Sequence, residues 1–392
     1  MRRFQMTEIV TIETKSLGDR SYVVSDGDEV AVGAFIVRAV HTPGHTPHHI
    51  SYVVSEAGHP CAVFTGGSML YGTVGRTDLI ADDQTEERTR AQYRSVRRLG
   101  AELPDDVAVQ PTHGFGSFCS STKASGTDSS NIATEGTTNV ALTGDDEDLF
   151  VDTLMSGLTA YPRYYAHMGD RNRQGPTEVD LSPPIPVDPV ELRRRIHAGD
   201  WVIDLRTRQA FAHSHLAGTV NVALEDKFVT YLGWTIPWGT PVTLVGDTFA
   251  EVAAAQRDLA RIGIDRPAGA ASGGLHEWAA GGELRSYRRA TFAELAEEIH
   301  RAGVVVLDVR RDDEWRTGHL DRAVHVPLDQ LDDRLHEIPD GQVWVHCASG
   351  YRASIAASLL DRAGRMVVLI DDDWTSVQHQ PGFPVAGPPP NS

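Results

Sequence analysis

Near the end of the chain, Val343-Trp-Val-His-Cys347-Ala-Ser-Gly-Tyr-Arg352 runs directly into Ala353-Ser-Ile-Ala-Ala-Ser-Leu-Leu360. The first run is β-branched and aromatic and reads as a buried strand; the second is rich in Ala and Leu and reads as a helix. Cys347 therefore opens a short loop that ends in a helix N-terminus. Backbone N–H groups of such a loop point inward and stabilise an anion, and Arg352 adds a fixed positive charge. A free cysteine is most often a small buried hydrophobe. The coincidence of strand, Cys, Gly-containing loop, Arg and helix in one span points instead to a nucleophilic thiolate that accepts something anionic, such as a sulfane sulfur.

From Cys347 to Arg352 is six residues. In this the segment resembles the active loop of the rhodanese family of sulfurtransferases, whereas protein tyrosine phosphatases use a loop one residue longer, wide enough for a phosphate. Upstream, Val304-Val-Val-Leu-Asp308-Val-Arg310, Glu314, Gly318-His319-Leu320, Ala323 and Pro327 follow the rhodanese pattern. Asp321 and Arg322 stand where that family often has Pro and Gly. Asp308 and Arg310 are expected to tie the loop down. The resemblance implies a domain over 286–392 with Cys347 catalytic and Ala348, Ser349, Gly350, Tyr351 and Arg352 binding the sulfur substrate.

The same plan occurs once more, over 188–285. Trp201-Val-Ile-Asp204-Leu-Arg206 matches Val305-Val-Leu-Asp308-Val-Arg310, and both Asp204 to His215 and Asp308 to His319 span eleven residues. Asp204 to Asn221 and Asp308 to His325 each span seventeen. Val242-Thr-Leu-Val-Gly246 then falls on Val343-Trp-Val-His-Cys347, so Gly replaces the thiol. Asp247-Thr-Phe-Ala-Glu251 follows, with no Arg to close the loop. This copy is expected to carry no sulfur, and to dock, scaffold or simply pack. The aromatic insertion Gly233-Trp234-Thr-Ile-Pro-Trp238-Gly239 suits either an interdomain contact or a core.

Residues 1–150 differ in character. His41-Thr-Pro-Gly-His45-Thr-Pro-His-His49 lies between the strand-like runs Phe35–Val40 and Ile50–Val54. It is followed by Ala62-Val-Phe-Thr-Gly-Gly67-Ser, Gly72-Thr-Val-Gly-Arg76-Thr-Asp78 and Pro111-Thr-His113-Gly-Phe-Gly-Ser117. Together these resemble the metallo-β-lactamase fold, persulfide dioxygenases and glyoxalase II in particular, and the domain order resembles a persulfide dioxygenase fused to an inactive and an active rhodanese. The resemblance implies a metal site that needs an H-x-H-x-D-H run, a residue at the position of His45 and an aspartate at the position of Gly67. The run is absent, and the aspartate is glycine. Of the ligands, His45 and, for two-metal relatives, His113 remain. Iron(II) takes a facial triad with open positions, so no cofactor or metal is expected. A βαβ-sized piece between Thr11–Val24 and Ser25–Gly33 looks deleted. His41, His48 and His49 are expected to be solvent-exposed turn residues.

Composition bounds the rest. At 392 residues the chain should hold two or three domains. A formal net charge of −18 without a basic cluster argues against nucleic acid and anionic membranes as partners. Three scattered cysteines make no disulfide framework, and no apolar run approaches a membrane span, so a reducing cytoplasm is expected. The expected architecture is α/β multidomain: a partial metallo-β-lactamase-like αββα domain over 1–150, a helix and Pro-rich linker over 151–187, then two rhodanese-like α/β domains with parallel sheets. The expected function is a sulfurtransferase moving sulfane sulfur from thiosulfate or a low-molecular-weight persulfide through a Cys347 persulfide. The alternatives are an iron-dependent persulfide dioxygenase and a non-catalytic persulfide carrier. Small sulfur donors and thiol acceptors are the expected partners, and a homo-oligomer is compatible with this composition.

Overall fold

A computed structural model describes residues 8–14, 19–25, 35–80, 82–113, 128–175, 179–379 and 385–386. Cys119, the segments 26–33 and 114–127, and the Pro-rich tail fall outside these residues. The chain forms two compact units, Met1–Tyr161 and Pro162–Ser392.

The first unit is built on a five-stranded sheet in the order Phe35–His41, Ile50–Glu56, His59–Gly66, Ala108–Pro111, Ser130–Asn131. The first three strands are antiparallel, the second and third joined by the tight turn at Ala57-Gly58, where both φ values are positive. His59–Gly66 and Ala108–Pro111 run parallel, because the helix Thr85–Glu102 carries the chain back between them. That helix turns Tyr93, Val96 and Leu99 onto Val53, Val63 and Val109. The helix Glu147–Gly157, capped by Asp146, adds Phe150, Val151 and Leu154 to the same core. On the opposite sheet face Val37, Tyr52 and Ile50 are exposed, a face that a sandwich of two sheets would bury. Glu8–Thr14 and Asp19–Ser25 pair separately as an antiparallel hairpin.

The second unit contains the plan twice. Its first sheet is parallel, in the order Val220–Asn221, Trp201–Asp204, Val242–Val245, Gly269–Ala271. Its second is parallel too, in the order Arg288–Ala290, Met366–Ile370, Gln342–His346, Val304–Asp308, Val324–His325. The strands read as near-continuous apolar runs because both faces are covered by helices. Registers coincide: Asp204 stands beside Val245, Asp308 beside His346, so Gly246 and Cys347 occupy the same place. Asn221 pairs with Asp204 as His325 pairs with Asp308. The linker is more than a spacer. Val187 N–H donates to Ala270 O and Ala270 N–H to Ile185 O, which puts the linker where the second repeat has its edge strand Arg288–Ala290. Of the aromatic insertion, Trp234 is buried within the helix Phe228–Thr235, and Trp238 stacks on His167 at 4.6 Å.

Candidate active site at Cys347

The strand Gln342–His346 is buried along four of its five residues, and the helix Tyr351–Arg362 that follows is buried along its first ten. Sequence explains both: β-branched and aromatic residues fill a central strand, and Ala and Ser let the helix approach the sheet closely. Between them lies Cys347, 1 % exposed. Gly350 turns the chain with φ +84°, and a Cβ there would run into the Asp371 carboxylate, so only glycine fits. Ala348 O accepts from Trp374 N–H at 2.8 Å. Among the described residues the N–H groups of Ala348 through Arg352 donate to no other part of the chain. Five consecutive amides thus follow the thiol along the loop without acceptors among the described residues, a cradle suited to an anion.

The other repeat treats this loop differently. Thr248 N–H donates to Glu251 Oε2 at 2.9 Å, and Glu251 N–H donates to Thr248 Oγ1 at 3.2 Å, a reciprocal capping box. Gly246 N–H donates to Ala271 O and Gly273 N–H to Asp247 O. A Cβ at Gly246 would meet nothing closer than Glu251 Oε2 at 3.4 Å. The space for a side chain exists, and the loop's own carboxylate takes one of its amides.

Arg352 does not stand free as the sequence suggests. Its guanidinium donates from Nη1 and Nη2 to the two Glu314 oxygens at 2.5 and 2.7 Å, and it is 8 % exposed. Burial alone would raise the Glu314 carboxyl, but the Arg352 pair outweighs it and holds the group below its ordinary value. The fixed positive charge expected at the loop is therefore largely neutralised. Asp308 and Arg310 do tie the loop's neighbourhood down. They form a buried pair, Arg310 Nη2 to Asp308 Oδ2 at 2.6 Å, and Arg310 also donates to Gly318 O; Arg206 and Asp204 repeat the pair in the other copy.

Three site residues escaped the sequence reading. Glu314 was visible as part of the pattern but not as the partner of Arg352. Tyr231, from the first repeat, sits against Tyr351 at 5.6 Å and under the Arg352 guanidinium at 5.9 Å. Arg208, also from the first repeat, pairs with Asp371. No motif marks these two, because they reach the loop across more than a hundred residues of chain. Of the other thiols, Cys61 donates to Val54 O at 3.4 Å, and burial pushes it up.

In the N-terminal unit His45, His49 and His113 do cluster, with ring centroids 6.1 Å apart for His45 and His49 and 5.1 Å for His45 and His113. His49 corrects the expectation of a solvent-exposed residue: its Nε2 accepts from Gly67 N–H, so its Nδ1–H donates to Thr42 Oγ1 at 2.8 Å. His45 Nδ1–H donates to Arg76 O at 2.8 Å, and the His45 ring occupies the room a side chain at Gly67 would need. His113 Nδ1 is buried without a partner. Burial keeps all three neutral, lowering His49 to about 4 and His113 to about 3. Among the described residues no carboxylate joins them in a metal-holding group, and the one lone pair of His49 is spent on an amide. Among the described residues no group of three or more His, Cys, Asp or Glu is arranged to hold a metal ion, so these residues do not fit a two-His-one-carboxylate iron site.

The rhodanese-like domain model matches residues 188–281 and 291–380, and the chain carries two rhodanese-like domains. It is similar to a probable metallo-hydrolase of Burkholderia pseudomallei, 37 % identical over 101 residues that cover 24 % of this chain and 32 % of that protein. It is also similar to the mitochondrial persulfide dioxygenase ETHE1 of Homo sapiens, 32 % identical over 99 residues, 25 % of this chain and 36 % of that one. The chain spans about a third of the length of these relatives. A metallo-β-lactamase structure from Staphylococcus aureus superposes with a TM-score of 0.54 at 28 % identity, covering 64 % of this chain and 70 % of the other. The fold is thus mixed α/β, metallo-β-lactamase-like and rhodanese-like with parallel sheets. No described helix is long and apolar enough to cross a membrane.

Proposed function

We propose that the protein is a rhodanese-type sulfurtransferase that carries sulfane sulfur on Cys347. The observation behind this reading is the amide cradle around Cys347, left open where the equivalent loop at Gly246 closes on its own Glu251. The Cys347 thiolate attacks the outer sulfur of thiosulfate or of a low-molecular-weight persulfide. A new S–S bond forms to Sγ while the donor's S–S bond breaks, and sulfite or the donor's thiolate leaves with the bonding pair. The amides of Ala348 through Arg352 stabilise the negative charge of the Cys347 persulfide. An acceptor thiolate then takes the outer sulfur as its own persulfide and returns the Cys347 thiolate. Small sulfur donors and thiol acceptors in a reducing cytoplasm are the partners this chemistry needs. Thiosulfate turnover with a thiol acceptor tests the reading: it is expected in the native chain and absent in Cys347→Ser.

The similarity to a persulfide dioxygenase favours a second reading, oxygen-dependent oxidation of a persulfide at an iron. The donor set around His45 opposes it, and on our reading the N-terminal unit holds no resident metal. Purified protein should contain no stoichiometric iron and consume no oxygen with glutathione persulfide. Iron near one per chain together with persulfide-dependent oxygen uptake would replace the sulfurtransferase reading. A Cys347 that loads with sulfur but never turns over would make the protein a carrier.

A further inference from the structure

The repeat without a thiol forms one side of the site that has one. Tyr351, the first residue of the helix after the Cys347 loop, donates its hydroxyl proton to Ala223 O at 2.7 Å. Arg208, at the start of the short helix Arg208–His213, places Nε 2.6 Å from Asp371 Oδ1 and Nη1 3.3 Å from Glu225 Oε1. Asp371 in turn abuts Gly350 inside the loop and also takes Gln209 and Arg289. Arg352 is matched by the bidentate Glu314, and Arg208 and Arg289 share the carboxylates of Asp371 and Glu225; Arg208 Nη2 enters neither of the Arg208 hydrogen bonds to them. The Arg208 side chain is 20 % exposed, so part of it reaches solvent beside the loop. Burial pulls Arg208 down, but Asp371, Glu225 and charge on Cys347 Sγ together hold it up; the same sulfur acts on Tyr231 and Arg352.

We propose that Arg208 of the thiol-free repeat binds the anionic end of the sulfur donor at Cys347, with Tyr231 as the facing wall. The donor class is then an anionic sulfane compound, a thiosulfonate or a carboxylate-bearing persulfide. This inference deepens the sulfurtransferase reading and rests on it for the identity of the donor. The cradle amides receive the transferred sulfur, and Arg208 reads the group left behind.

The test compares alkylation of Cys347 by anionic iodoacetate and neutral iodoacetamide in the full chain, followed at the Cys347 peptide by mass spectrometry. Arg208→Ala should lower the iodoacetate-to-iodoacetamide rate ratio about five- to tenfold, the scale of one partly screened charge contact, while Arg208→Lys retains most of it. Asp371→Asn breaks the same latch between the repeats but frees Arg208, and should raise the ratio. If Arg208 were only a structural latch, both substitutions would shift it the same way. In the Arg208→Ala/Asp371→Asn double variant, whose net charge equals the native one, the ratio should stay low; its return to the native value would show a general field and overturn the contact. With thiosulfate, Arg208→Ala should raise KM about tenfold and leave kcat within about twofold. An unchanged alkylation ratio in Arg208→Ala sinks the inference even if sulfur transfer stands. A native chain inactive with thiosulfate that still shows the ratio change sinks only the sulfurtransferase reading. No labelling of Cys347 by either reagent sinks both, since a donor of similar size could not reach the thiol.

Discussion

The two rhodanese-like repeats share sheet order, strand register and the buried Asp-x-Arg pair, and they part at one loop. After Gln342–His346 the loop presents a thiol, a left-handed glycine and five amides without protein acceptors. After Val242–Val245 the same loop has a glycine for the thiol and closes into a capping box, with Glu251 supplying the anion. A helix N-terminus must satisfy its amides with something. The first repeat satisfies two of its five, Thr248 N–H and Glu251 N–H, through its own capping box, which stabilises its helix by about 1 kcal/mol. The second leaves its five without acceptors among the described residues. The two loops therefore differ in more than a cysteine: one carries a capping carboxylate and the other does not.

The largest expected effect breaks the comparison at its centre. Cys347→Ser should reduce thiosulfate turnover more than about a thousandfold while leaving the circular dichroism spectrum and Tm unchanged, because it removes the nucleophile and almost no volume. Retained turnover would assign the chemistry to Cys61 or Cys119.

Gly350→Ala should cost about 1–2 kcal/mol from the left-handed φ alone, more if Asp371 must move, and should slow transfer with it. Gly246→Ala, at the matching loop with 3.4 Å of room, should change stability by less than about 0.5 kcal/mol. Equal losses in denaturant titrations of the two variants would mean the loops are not built as differently as described.

Glu314→Gln leaves Arg352 buried without its carboxylate and should destabilise the protein by about 1–3 kcal/mol at neutral pH. Because Arg352 holds the Glu314 carboxyl below its ordinary 4.5, the stability from this pair is complete above that pH and lost as pH falls through the lowered value. The native chain and Glu314→Gln should therefore converge in Tm on acidification. A gap that persists at pH 3 would place the pair's worth elsewhere.

The smallest expected effect is none. Gly246→Cys alone should acquire no persulfide after incubation with thiosulfate, since the loop lacks an Arg and the carboxylates of Glu251 and Asp247 near the new thiol disfavour its thiolate. Persulfide on that residue in a peptide map would show that the thiol, and not the open amides, separates the two repeats.

Much of this was legible along the chain. The strand, loop and helix around Cys347 are contiguous, and their periodicity switches from strand to helix within a few residues. The second copy was legible through equal spacings, Asp204 to His215 against Asp308 to His319, which parallel strands of matched register preserve. What stayed hidden is contact between distant segments. Arg352 meets Glu314 across 38 residues and Arg208 meets Asp371 across 163; neither pairing leaves a local pattern. The positive charge at the loop was misjudged for that reason. The capping box was hidden in a subtler way: the sequence shows Asp247-Thr-Phe-Ala-Glu251 without an Arg, and only the geometry shows that the Glu251 carboxylate turns back onto Thr248 N–H. In the N-terminal unit, the turn between two strands was readable, but not that His49 would fold inward onto Gly67.

The most direct test is a peptide map of the native chain after brief incubation with thiosulfate and removal of excess donor. The account predicts one added sulfur atom on the peptide containing Cys347, none on those containing Cys61 or Cys119, and its loss when a thiol acceptor is added. Sulfur on another cysteine, or none on Cys347 under conditions of measured turnover, would contradict it.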